Sequence, residues 1–390
     1  AHSEAESDVS PVVSAVLLKA GVFGLIVTML AMGPQSFKGV NIYYVLGWLG
    51  VITALLGNMM AAFEEDAKRL LAYSSVGQLG GVVFALSMMN HLGWLTATAF
   101  ALNHFVFKAL LFLAIGGVVM RVKTRNMYEM GGLITRMPIS FLSVMIGIIA
   151  LSGVPPLTGF GGKWLSYNAM IDSQMYFQGA VASFAGLVAF LYCFRLIFAI
   201  FLGQLKDNHR HVKEAPFWML VPQFALLGLV MFFSVVPGVA LKPIGEFLVK
   251  YFPENPLVWD GYLAKSYLGY WDGKMIMYVT MGIFSVVFAW LFFINRKAVK
   301  VKQFNIVYAA ERPSRPELTH FAYNFFAPYR KALGFLVTPL ATAFWNGVSE
   351  GFHSTATFTS KIFKGNSQSY AIHILLYAVI SFIITFGGVQ

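Results

Sequence analysis

Cysteine is almost absent: Cys193 is the only one in 390 residues. One thiol cannot build a disulfide framework, a cysteine-ligated zinc site or an iron–sulfur cluster held by this chain alone. Charge is scarce too. Asp, Glu, Lys and Arg make up 12% of the sequence, about half the share of a soluble domain. Acidic residues are the scarcer kind, 17 against 28 Lys and Arg, for a net charge of +11. In a soluble protein that balance points to nucleic acid. Here the cations fall in loops between apolar runs, where they set membrane orientation, and no nucleic-acid partner is expected. No secretory signal precedes the first apolar run. No nucleophile motif, phosphate cradle or dinucleotide fingerprint appears, so no active site is expected.

What is abundant is apolar sequence. Hydrophobic residues are 58% of the chain, and the mean hydropathy is +0.68. Runs of about 20 apolar residues, enough to cross a hydrocarbon core of about 30 Å, occur at 10–32, 40–63, 69–90, 94–120, 138–172, 177–203, 217–243, 274–295 and 369–388. The expected fold is therefore an all-α polytopic membrane protein with about nine spans. The fifth contains "SGVPPLTGFGG", with Pro155, Pro156, Gly159 and Gly161. Those residues cannot continue a regular helix, so a break is expected within 138–172. Irregular backbone survives at membrane depth only inside protein or beside a wet cavity.

Cations mark one side. The loops after spans two, four, six and eight carry Lys68 and Arg69; Arg121, Lys123, Arg125 and Arg136; Lys206, Arg210 and Lys213; Arg296, Lys297, Lys300 and Lys302. The other side has little beyond Lys38, Lys250 and Lys265. The basic side is read as cytoplasmic, which places the N-terminus in the cytoplasm and the C-terminus outside, in a prokaryotic inner membrane. The segment 318–364 mixes aromatics, small residues and cations and is too polar to span. It reads as an amphipathic helix on the membrane, interrupted at Pro328 and Pro339. The alternative is a linker with short interfacial helices.

Titratable residues inside the spans need a reason, because each costs at least about 2.5–3.5 kcal/mol at the bilayer centre. Lys19 lies mid-way along the first span. His104 and Lys108 share a face of the fourth, being four residues apart. Lys163 follows the break. Arg195, in "LYCFRLIF", either snorkels or pairs with a carbonyl. Acidic residues are nearly absent from these spans, so carboxylates cannot neutralise the set. Burial favours the neutral amine and histidine titrates near neutrality, so the array suits a proton row. One central His without nearby carboxylates lacks the ligand count for a metal.

Several blocks resemble the antiporter-like subunits of respiratory complex I, membrane-bound hydrogenases and multisubunit cation/proton antiporters. They are "EEDAKRLLAYSSVGQLG" (64–80), "HFVFKALLFLAIGGV" (104–118), "MGGLITRMP" (130–138), "ALSGVPPLTGFGGKWL" (150–165) and "YCFRLIFAIFLG" (192–203). The resemblance covers residues 1 to about 203. It implies a proton-translocating membrane subunit of a redox-driven complex, or a cation/proton antiporter subunit without a redox partner. A third reading is a bracing subunit that has lost transport. It implies that Lys19, His104, Lys108 and Lys163 carry protons, and that Lys68 is the cytoplasmic-end lysine. Asp66 and Arg69 would hold their loop. Phe100 stands where the family often has a second His. The first seven helices and their Glu–Lys pair are missing, and the N-terminus lacks a starting Met, which is expected of a piece of something longer. The implied layout is a translocation module (1–203), further helices (204–295), a cytoplasmic connection with a lateral helix (296–368) and a terminal anchor (369–390). No cofactor is expected in this chain. Iron–sulfur clusters with flavin or nickel–iron are expected in partners. Those partners are other antiporter-like and small membrane subunits, a peripheral redox arm and lipids, in a hetero-oligomer.

Overall fold

The computed structural model of the chain describes residues 5–6, 9–33, 35–37, 39–203, 205–294, 320, 323, 327–362 and 367–386. They form two compact units, Ala1–Ala327 and Pro328–Gln390. In the first unit, helices α1 (Ser10–Met32), α2 (Ile42–Phe63), α3 (Ala67–Ser87) and α4 (His91–Val122) come first. A broken pair follows, α5 (Pro138–Ser152) and α6 (Thr158–Asp172). Then come α7 (Tyr176–Phe201), α8 (Phe217–Val235), the short α9 (Gly238–Leu248) and α10 (Gly273–Ile294). Among the described residues, seven helices are long and apolar enough to cross a membrane: α1 to α4, α7, α8 and α10. The protein is a polytopic, all-helical membrane protein.

Local sequence fixes the helix starts. Asn41, Asp66 and Asn90 each sit in extended backbone and accept hydrogen bonds from the first free N–H groups of α2, α3 and α4. That is the usual way to satisfy a helix start. At α5, Pro138 fills the first turn, and the Glu214 carboxylate from the loop before α8 accepts from Ile139 N (2.8 Å) and Ser140 Oγ (2.6 Å). The cap is 75 residues away in sequence, so this start is tertiary rather than local.

Small residues bring α2 and α3 together. A Cβ on Gly57 would lie 2.5 Å from the Gly77 nitrogen, and one on Gly80 2.5 Å from the Ala54 nitrogen. In a membrane, such close backbone approach is a main source of helix association. Helix α4 lies at the centre: 78% of its most apolar window is buried, against 6% for α10. His104 and Lys108 therefore ride on the most enclosed helix of the bundle.

Three expectations are corrected. The run at 217–243 is two helices, because Pro237 lacks an N–H and steers Val236 out of helical backbone. A three-stranded antiparallel sheet, β1 (Val258–Asp260), β2 (Leu263–Ser266) and β3 (Gly269–Asp272), stands between α9 and α10 where the sequence predicts only a loop. In the second unit, α11 (Ala327–Ile362) is one continuous helix. Pro328 falls in its first turn, where a missing N–H costs nothing. Pro339 forfeits one hydrogen bond in a helix of 36 residues without ending it. At about 1.5 Å per residue it extends about 54 Å. The last helix is α12 (Ser367–Phe386). The polar stretch 296–319 lies outside the described residues.

Gly57→Ala should force α2 and α3 apart and cost about 1–3 kcal/mol. Gly21→Ala, which meets nothing within 4 Å, should leave the thermal midpoint of the solubilised protein unchanged or slightly raised.

Candidate functional site

The buried cations fall into three places. The first is a cluster between α1, α3 and α4. Helix α1 opens with a π-helical stretch, Val13–Leu17, a wider turn that frequently marks functional positions. Lys19 Nζ donates to Ser14 O at 2.9 Å and lies 2.5 Å from His104 Nδ1. Two cations at that separation would repel by several kcal/mol, so the pair carries at most one excess proton at a time. Lys108 is fully buried. Its ammonium donates to Leu71 O at 3.0 Å and to the Ser74 hydroxyl. The two ends join through serines: Ser14 Oγ and Ser75 Oγ are 3.4 Å apart, and Ser75 Oγ donates to Leu71 O at 3.1 Å. Lys19 and His104 thus form one hydrogen-bonded pair and Lys108 with Ser74 another, with Ser14 and Ser75 between them.

The second place is the break. Gly153 takes left-handed backbone (φ +67°) and ends α5. That leaves the Ser152 carbonyl at a helix C-terminus, the negative end of the helix dipole. Lys163 Nζ donates to it at 2.5 Å. A Cβ on Gly159 would fall 1.9 Å from Ala150 O, so only glycine lets α6 start here. The break is satisfied from its neighbours. Thr158 N donates to Ser234 Oγ (2.8 Å), Asn103 Nδ2 donates to Thr158 O (3.2 Å), and the Thr158 hydroxyl donates to Asn103 Oδ1. Trp271 of β3 packs on Gly161. Pro155 and Pro156 lie in the connecting loop, away from these contacts.

Beside Lys163 lies a cavity of about 100 Å³, lined by Asn58, Gln78, Phe100, Asn103, Ser166 and Tyr167 among others. A water needs about 10–15 Å³ of such space and two to four polar partners. The cavity therefore has room and partners for several. Behind Asn58 of the cavity wall stands Tyr192, buried at 1% exposure. Its hydroxyl donates to Asn58 Oδ1 at 3.1 Å.

The third place is the Lys68 end of the bundle. Lys68 Nζ donates to Ala5 O at 2.5 Å. Asp66 accepts from Lys68 N and Arg69 N as the α3 cap, and Arg69 pairs with Glu64 at 3.6 Å. Burial raises the Glu64 carboxyl above its usual range, against the pull of Arg69. Arg195 is anchored: it donates to Ala62 O (2.6 Å) and to the Tyr128 hydroxyl (2.7 Å). Of the two readings of Arg195, the carbonyl partner is the one observed.

Among the described residues, no group of His, Cys, Asp and Glu could hold a metal ion. The residues that sequence reasoning missed are Ser14, Asn58, Ser74, Ser75, Asn103 and Tyr192. Only "YSSVGQ" carried a signal, a run of hydroxyls and amides inside an apolar span.

Residues 1–190 match the family model described as NADH:quinone oxidoreductase/Mrp antiporter, TM. The chain is similar to hydrogenase-4 component B of Escherichia coli, 31% identical over 254 residues, covering 59% of this chain and 37% of the relative. It is also similar to one component of the Na(+)/H(+) antiporter of Alkalihalophilus pseudofirmus, 30% identical over 297 residues, 69% of this chain and 36% of the relative. The chain thus spans little more than a third of these relatives. Its structure matches a chain of the membrane-bound sulfane sulfur reductase, an archaeal respiratory membrane complex, with TM-score 0.77 and 27% identity over 97% of this chain and 63% of that one.

Asp66→Ala should cost about 0.5–2 kcal/mol of thermal stability through the lost cap. Asp66→Asn, which keeps the acceptor, should melt close to the parent.

Proposed function

We propose, from the match of residues 1–190 to the NADH:quinone oxidoreductase/Mrp antiporter transmembrane family model, that the chain works as the proton-translocating part of a redox-driven membrane complex. The observation that carries the reading is the row Lys19–His104–Lys108, with Lys163 at a polar cavity. Among the described residues, no carboxylate pairs with any of the three lysines. Their protons are held by carbonyls and hydroxyls, which release them more readily than a full counter-charge would. Lys68 is the proposed entry at the basic side and Lys163 the exit. Asp66, Arg69 and Arg195 position the helices, and Pro155, Pro156, Gly159 and Gly161 keep α5 and α6 apart.

The remaining assignments are proposals on the same footing. Residues 1–203 form the translocation module, 204–295 add helices, 296–368 connect and brace with α11 along the membrane, and 369–390 anchor. The basic side faces the cytoplasm of a prokaryotic cell. Partner chains are antiporter-like and small membrane subunits plus a redox arm holding iron–sulfur clusters with flavin or nickel–iron. The second reading is a cation/proton antiporter component without a redox partner. The redox reading is preferred because the likeness to a respiratory complex covers 97% of the chain, against 69% for the Na(+)/H(+) antiporter component.

In the intact complex, Lys163→Ala and Lys19→Ala should lower proton pumping by at least about tenfold, with assembly retained on native gels. Normal proton stoichiometry in both assembled variants would sink the proposal. Metal analysis of the purified complex separates the two readings: iron supports the redox pump, and its absence supports the antiporter.

A further inference from the structure

Helix α6, which carries Lys163, is held along most of its length by an element that the function proposed above leaves unused, the three-stranded sheet. The strand register places Trp259, Ala264 and Trp271 directly opposite one another, so their side chains share one face of the sheet. Ala264 is fully buried and Trp271 is 5% exposed, which makes this the inner face. The small Ala264 lets the two indoles close over it, with ring centroids 6.4 Å apart. Trp259 packs on Gly238 at the start of α9, and the six-membered ring of Trp271 lies where a Cβ on Gly161 of α6 would stand. Trp164 of α6 lies against the same indole, centroids 6.2 Å apart. Further along α6, Ser266 Oγ donates to Asn168 Oδ1 at 2.6 Å. Asp172, the last residue of the helix, accepts from Tyr267 (3.0 Å) and from Asn255 (2.8 Å).

At about 100° per residue, Gly161, Trp164, Asn168 and Asp172 form a single stripe roughly 80° wide. Lys163 lies about 140° from the middle of that stripe, on the far side of α6. There its side chain crosses Gly153, where a Cβ would meet Cδ and Cε at 2.7 Å, and its Nζ reaches Ser152 O. Helix α6 is thus held between the sheet and the end of α5. The break removes the backbone ladder that would fix the two half-helices to each other, so the position of α6 against α5 has to come from side contacts. Ser234 and Asn103 hold its first residue, Thr158, and the sheet holds the stripe beyond.

Resting on the reading of Lys163 given above, we propose that Trp271 is a positioning residue for proton transfer, acting through α6 to keep the Lys163 amine at the Ser152 carbonyl. Trp271 itself carries no proton. Without its ring the space at Gly161 opens, α6 recedes from α5, and the contact from Lys163 Nζ to Ser152 O lengthens. Hydrogen bonds and proton transfer both weaken steeply with distance, so a small displacement is enough.

The test uses the intact complex in proteoliposomes, with protons pumped per turnover as the readout and assembly followed on native gels. Trp271→Ala should lower pumping roughly tenfold, as for a misplaced reacting group. In the Lys163→Ala background it should lower pumping no further, because both changes remove the same step. A further fall in that double variant gives Trp271 a role elsewhere and overturns the proposal, and so does parental pumping in Trp271→Ala alone. Gly161→Ala presses on the same contact from the helix side and serves as the test if Trp271→Ala does not assemble. It should lower pumping to a similar extent, and adding Trp271→Phe, whose smaller ring frees that space, should return most of it. A loss in Gly161→Ala that Trp271→Phe leaves unchanged also overturns the proposal. Normal pumping in Lys163→Ala instead removes the reading of Lys163 on which the proposal rests.

Discussion

The bundle is organised around amines buried without carboxylates. An ammonium in the membrane interior must find oxygen, and in this chain the oxygen comes from backbone carbonyls. Lys19 takes Ser14 O, Lys108 takes Leu71 O and Lys163 takes Ser152 O. A carbonyl inside an unbroken helix is already committed to its own ladder. Two of the three are therefore freed by defects. The π-helical stretch of α1 widens the turn that holds Ser14, and the end of α5 exposes Ser152. The irregularities of the fold sit where the cations need them. They are tolerated at membrane depth because the surrounding helices satisfy what remains, as Ser234 and Asn103 do for Thr158.

Carboxylates are placed elsewhere. Asp66 and Glu214 cap helix starts, Glu64 pairs with Arg69, and Asp172 accepts from Asn90, Asn255 and Tyr267 at the opposite end. This segregation has an electrostatic consequence. A buried lysine paired to a carboxylate would hold its proton as half of a salt bridge, and breaking such a pair costs several kcal/mol. A lysine held by partial charges keeps its solvation while remaining able to lose the proton. It also feels its cationic neighbours, most directly in the Lys19–His104 contact. Charge arriving at one member therefore raises the energy of charge on the next.

Much of this was legible in the sequence, and the parts that were not share a cause. Spans, the break and the buried cations announce themselves through composition: long apolar runs, Pro and Gly inside one of them, and Lys where Lys is costly. Partners do not. Glu214 caps a helix that starts 75 residues earlier, and Trp271 fills the space at Gly161 from a sheet formed more than a hundred residues later. Nothing local marks either contact. Pro339 shows the opposite error: a residue with a strong local preference is overridden by the length of the helix around it. Tyr192 was invisible because an aromatic in an apolar span is ordinarily core, and only its neighbour Asn58 gives its hydroxyl a chemical meaning.

The same contrast explains why the row is built from unlike residues. Lysine and histidine can store a proton, whereas serine and tyrosine hydroxyls can only hand one on. Storage sites placed in direct succession would repel one another whenever two were filled, so a path of lysines alone would stall under its own charge. The central position of α4 then follows from the chemistry. The helix that carries His104 and Lys108 must touch α1 for Lys19, α3 for the serines and α6 for the break, and only the middle of the bundle offers all three contacts at once.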